Sequence, residues 1–236
     1  MDAATFDFFF DLASPYSYLA STQLRGISDR TGARARLYPI TLGGVRKAIG
    51  REMPPPQQLA YMAQDTARWA QKYGVPMQIP KAFPISTILP LRATVAAARE
   101  GDDERAMEAL FRVYWGDGED ISDAKVVERT LTAAGLDGKR LVTRAGDQDV
   151  KDELRKNTYL ALARKALVGP AGHAVAWWVA AVVCAVVPFG VAVFAGDRIV
   201  RRFTRGCIGR APGPQDIRIA RRDDSRRDHL AFGQRG

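Results

Sequence analysis

The sequence predicts an α/β fold: a strand–helix–strand unit opens the chain and a long block of helices follows. Three observations carry this expectation. A Phe-rich run, Thr5 to Asp11, breaks at "LASP" and gives way to residues at helical spacing. A second extended run, "ARARLYPITL", follows Gly32. From about Val45 to Lys165 the apolar residues then recur with a helical period and no further strand pattern.

Taken in order, the Phe-rich run reads as a buried strand. Pro15 suits a first helical turn, where its missing N–H would be unpaired in any case. Ser14 falls at the N-cap or beside it. Tyr18, Leu19, Leu24 and Ile27 place one helix between Tyr16 and Gly32, and the glycine is its stop. A strand–helix–strand unit of this length is a right-handed crossover, so Phe6–Asp11 and Arg36–Leu42 are expected to lie parallel.

The helical block reads as five segments. "PPPQQLAYMAQDTARWAQKYGV" runs helical to Gly74, and "TILPLRATVAAARE" is helical despite Pro90 near its start. "DDERAMEALFRVYWGDG" puts Ala106, Leu110, Val113 and Tyr114 on one face. "DAKVVERTLTAAGLD" and "DVKDELRKNTYLALARKAL" are two further amphipathic helices, and no internal repeat is visible.

Composition excludes several classes. The 236 residues are 47% hydrophobic and 26% charged, which is globular usage. The net charge of +9 is uneven: from Arg198 onward there are 11 Arg, no Lys and 4 Asp, whereas the rest holds 24 basic and 22 acidic residues. A nearly neutral body argues against a nucleic-acid partner. Cys184 and Cys207 lack a CxxC spacing, and His173 and His229 lie far from the strand–helix unit, so neither a disulfide framework nor a metal site is expected. "MDAAT" lacks the basic and apolar regions of a signal peptide, and a cytoplasmic protein is the default.

The end is unlike the rest. Ala174 to Gly196 holds no charged residue. Three readings stay open: a membrane span, since the length rule is met; a fold-internal strand and helix; or a shifted reading frame, consistent with the Arg-without-Lys composition beyond it. Residues 174–195 are the one place where the sequence offers a membrane contact. The Arg/Asp/Gly-rich stretch after them has no apolar period and is expected to be disordered.

Ser14 is the residue with chemistry to offer. A strand-to-helix turn presents backbone N–H groups, which favour an anion or a thiolate. A hydroxyl there can donate a hydrogen bond to a sulfur. The same serine is also a favoured helix N-cap, and both readings stand. It does not look like a hydrolase nucleophile, because there is no GxSxG elbow and no histidine nearby in sequence.

"FDFFFDLASPYSYLA" resembles the start of the 2-hydroxychromene-2-carboxylate isomerases, which are related to kappa-class glutathione transferases. "RLYPITLGGVRKAIG", "DTARWAQKYGVPMQIPKAFPISTILPLRA", "YWGDGEDISD" and "VKDELRKNT" resemble later stretches of that family, in order, from about residue 5 to 164. The resemblance implies a thioredoxin-like (DsbA-type) domain with a large inserted helical block. Residues 1–44 would be the first part of that domain and 45–165 the insertion. Residues 166–200 would be an atypical apolar segment with a remnant of the domain, and 201–236 a basic tail.

The resemblance also implies function. Ser14 stands where redox relatives carry the first Cys of CxxC; with Ser17 at the second position there are no thiols for disulfide exchange. Glutathione would be the cofactor, its sulfur near Ser14, with Lys47 and Val191 as further contacts. The implied reaction is cis–trans isomerisation of a conjugated aromatic keto acid of aromatic-hydrocarbon catabolism, by reversible addition of the thiol. Tyr16, Arg46 and Ser86 are the implied substrate contacts, Trp69 and Trp115 are aromatic candidates whose commoner role is core, and the oligomeric state stays open, with a homodimer as one option. The alternatives are a kappa-type transferase that releases the thiol adduct, and a non-catalytic relative with a damaged glutathione site. Departures from the family pattern fall at Arg51 and Ser86, where relatives carry Asn, and at Ala192, where "GVAVF" stands for a loop with proline.

Overall fold

A computed structural model describes residues 4–51, 53–164 and 166. The first strand, β1 (Thr5–Phe10), and the second, β2 (Arg34–Pro39), pair in parallel with Thr5 opposite Arg34 and Phe10 opposite Pro39. The parallel pairing is the one expected of a crossover unit. β2 ends three residues earlier than the sequence pattern indicates. The Leu42 N–H leaves the ladder for the Asp11 carboxylate and opens a helix instead.

Alternation along β1 divides the core. Phe8 and Phe10 point into the large apolar cluster with Leu91, Leu110, Phe111 and Trp115. Phe9 points to the opposite side, where it meets Ile40, Val45 and Ala161 and stacks on Tyr38 at 4.9 Å. Burial of the strand on both faces explains why Phe8, Phe9 and Phe10 follow one another without a polar residue between them. Its one inward charge, Asp7, is paired with Arg36 at 2.7 Å and with Arg164.

The segment expected as one helix is two, α1 (Pro15–Ser21) and α2 (Leu24–Thr31). The break has a chemical cause. The Ser21 hydroxyl donates to the Tyr18 carbonyl and the Thr22 hydroxyl to the Leu19 carbonyl, each at 2.7 Å. Such bonds offer the backbone an alternative to continuing the helix. Gly32 stops α2 with φ 70°, in the left-handed region that glycine enters freely.

The helical block holds α3 (Leu42–Ala48), α4 (Pro56–Tyr73), α5 (Ile88–Ala98), α6 (Asp103–Phe111), α7 (Ala124–Ala133), α8 (Gly138–Arg144) and α9 (Gln148–Ala163). Pro90 sits in the first turn of α5, where no intrahelical N–H is needed. α5 is buried nearly all round, and its run of small residues lets α6, α8 and α9 pack close against it. α6 continues into a π-helical turn, Arg112–Gly116, which turns Tyr114 and Trp115 into the core. α3 and α8 are seven residues each, too short to show a period in the sequence.

Candidate active site

The site is built at the C-terminal end of β1. Ser14 is the N-cap of α1: its Oγ accepts the Ser17 N–H at 3.2 Å, and its own N–H donates to the Asp11 carbonyl at 2.9 Å. The N-cap reading made from the sequence is the one seen here, and the cap uses only an acceptor lone pair of the hydroxyl. Among the described residues the Ser14 O–H has no acceptor. Ser17, one turn on, is fully buried, and its Oγ has no partner there.

Beneath this turn lies Asp11, 3% exposed. Its Oδ1 accepts the Ala13 N–H at 2.9 Å and the Thr87 hydroxyl at 2.7 Å; its Oδ2 accepts the Leu42 N–H at 2.7 Å. Burial raises its pKa above the ordinary carboxylate value, and these three donors and the Arg46 charge oppose that rise. One carboxylate thus joins the Ser14 turn to the first turns of α3 and α5.

Arg46 and Lys47 occupy the last turn of α3, Arg46 half-buried and Lys47 exposed. Ser86 is exposed and directly precedes Thr87, whose hydroxyl donates to Asp11. Tyr16 is buried; its hydroxyl donates to Asp65 on α4 at 3.1 Å. Burial and Asp65 push its pKa above the usual tyrosine value. Trp115 belongs to the core: its Nε1–H donates to the Leu12 carbonyl at 2.9 Å, bracing the strand end next to the Ser14 turn, and Phe83 packs on its ring. Trp69 lies on α4 against Tyr73 and beneath Lys72. Val191 and Ala192 lie outside the described residues, as does the whole apolar segment 174–195. No helix among the described residues is long and apolar enough to cross a membrane.

Asp11 and Thr87 are the residues that reading the sequence left without a role. A signal was present at Asp11, since a charge that directly follows three buried Phe residues needs local donors. Thr87 gave none, because its distance from Asp11 in sequence hides the contact.

A sequence profile described as the DSBA-like thioredoxin domain matches residues 5–167. A 2-hydroxychromene-2-carboxylate isomerase from Sphingobium xenophagum is 33% identical over 144 residues, 58% of this chain and 71% of that protein. The chain belongs to the DsbA-like thioredoxin family, in its 2-hydroxychromene-2-carboxylate isomerase branch. Isomerases of this branch from Pseudomonas putida and Pseudomonas sp. (strain C18) match over 56% and 54% of their length. A kappa-class glutathione transferase from Rattus norvegicus is 26% identical over 64% of this chain and 73% of its own.

Among solved structures, a 2-hydroxychromene-2-carboxylate isomerase superposes with a TM-score of 0.62 at 25% identity, over 68% of this chain and 80% of that one. A cytosolic disulfide reductase, DsbM, from Pseudomonas aeruginosa, solved with GSH, shares the fold at 19% identity and a TM-score of 0.52, over 70% of this chain and 83% of that one. The relatives of this DsbA-like chain are thus isomerases and glutathione transferases, which places it in a glutathione-related enzyme family.

Proposed function

We propose that this chain is a glutathione-dependent isomerase acting on 2-hydroxychromene-2-carboxylate or a similar conjugated aromatic keto acid. The observation that carries the reading is the Ser14 hydroxyl: it is held by its cap bond to Ser17, and its proton has no acceptor among the described residues. A fixed hydroxyl with an unspent proton fits a sulfur ligand, because a hydrogen bond to a thiolate favours the charged form. Glutathione, when bound, supplies the thiol nucleophile that a conjugated double bond needs for reversible addition.

The protein's own part is orientation and charge. Ser14 donates to the sulfur. Lys47, exposed at the end of α3, balances a carboxylate of the cofactor, and Arg46 and Ser86 face the acidic substrate. Tyr16 holds the first turn of α1 against α4 through Asp65 and contributes its ring, not its hydroxyl, to the substrate side.

The kappa-class relatives support a second reading, in which the chain conjugates glutathione to an electrophile and releases the adduct. Product analysis with 2-hydroxychromene-2-carboxylate, with and without glutathione, separates the two. Catalytic return of the trans isomer with glutathione unconsumed supports isomerisation. Stoichiometric loss of glutathione into an adduct supports transfer, and no turnover under either condition overturns both.

A further inference from the structure

The buried Asp11 carboxylate reaches the N-terminal ends of two helices, α3 and α5. Thr41 stands at the N-cap of α3 and Thr87 at the N-cap of α5, yet neither side chain caps its own helix. The Thr41 hydroxyl lies 3.4 Å from that of Thr158, and the Thr87 hydroxyl is turned to Asp11. The first N–H of α3, on Leu42, which an N-cap side chain does not serve, is satisfied by Asp11 from outside the helix. Burying a carboxylate costs free energy unless donors surround it, and here three do. What the carboxylate adds is connection: two of its acceptor sites hold other elements, and the third, with the Asp11 carbonyl, holds Ala13 and Ser14.

We propose that Asp11 is a positioning residue for the thiol site, with Thr87 as its partner, and that it sets the Ser14 turn in register with the basic helix α3 and with α5. This rests on the glutathione reading above. The charged and titratable groups acting on the carboxylate from the packed elements are Arg46 on α3 and Tyr114 in the π-helical turn. An error in the register would move the Ser14 hydroxyl relative to Lys47 without touching either residue.

Two variants of the full chain test this. Asp11→Asn keeps one oxygen, which can serve Ala13 and Thr87, and sets its amide N–H against the Leu42 N–H. Thr87→Val removes one donor and changes no charge. Amide hydrogen exchange is read first, without ligand. Leu42 should exchange at least about tenfold faster in Asp11→Asn, while amides in α9 away from the site keep their protection.

The pKa of bound glutathione, followed by thiolate absorbance, is read second. Removing a negative charge would by itself lower a nearby thiol pKa. Loss of positioning weakens the Ser14 hydrogen bond and raises it. The expected result is a rise in both variants. Unchanged exchange, or a thiol pKa that stays or falls in Asp11→Asn, overturns the proposal. If the unaltered chain binds no glutathione, the functional reading fails and the positioning claim falls with it. If it binds and the variants behave as the unaltered chain does, only the positioning claim falls.

Discussion

The Thr87 hydroxyl lies 2.7 Å from Oδ1 of Asp11, across 76 residues of sequence. That contact brings the start of the central helix α5 to the end of the first strand, beneath the turn that carries Ser14. It also sets the electrostatics of the site, because the carboxylate is buried and is balanced by two backbone N–H groups, this hydroxyl and the Arg46 charge.

A pH dependence follows from the burial of Asp11. Its folded-state pKa is raised, so the folded chain holds the proton more tightly than the unfolded chain does. The corresponding stability is fully present below about pH 4 and is lost as pH rises through the folded value. Asp11→Asn should remove this component and flatten the stability curve on the acidic side. Urea midpoints across a pH series check it; parallel curves for the two proteins would count against it.

The tyrosines make the opposite limb. Tyr16 and Tyr114 are buried and their pKa values are pushed above the usual tyrosine value, chiefly by burial. Their contribution is intact below about pH 10 and is lost at higher pH, where the unfolded chain releases the protons first. Tyr16→Phe and Tyr114→Phe should each reduce the alkaline loss of stability. Tyr16→Phe should also cost about 0.5–1.5 kcal/mol near neutral pH, because it ends the bond to Asp65. Thermal unfolding from pH 8 upward measures both effects.

Gly138 opens α8 where that helix meets α7, and a Cβ there would collide with the Glu128 carbonyl. The obstacle is backbone and cannot swing aside. Gly138→Ala should therefore destabilise the chain by about 1–3 kcal/mol, as overpacking does. Chemical denaturation of the variant decides it, and an unchanged midpoint would mean that the two helices can part without cost.

The parts of this structure legible in the sequence are those with a local cause. Ser14-Pro15 announced the start of α1, and the Phe run with its successor announced a parallel pair. Gly74 marked the end of α4 through its left-handed conformation. The parts that were not legible depend on groups distant in sequence or on short elements. The break between α1 and α2 is made by hydroxyl bonds that any Ser or Thr can make but few do. α3 and α8 have too few residues for a period. Trp115 could be read as pocket or core until its bond to Leu12 placed it in the core. The Asp11–Thr87 contact needed the fold before it could be seen.

The central claim is that the Ser14 hydroxyl holds a glutathione sulfur, and the pKa of bound glutathione in the unaltered chain and in Ser14→Ala tests it most directly. The account predicts that the unaltered chain binds glutathione and lowers its thiol pKa below the ordinary thiol value, about 8.5. In Ser14→Ala the pKa should rise back toward that value and turnover should fall. The fold should persist, because losing an N-cap costs only about 0.5–2 kcal/mol. The same thiol pKa in both proteins, or no binding of glutathione by the unaltered chain, would contradict the account.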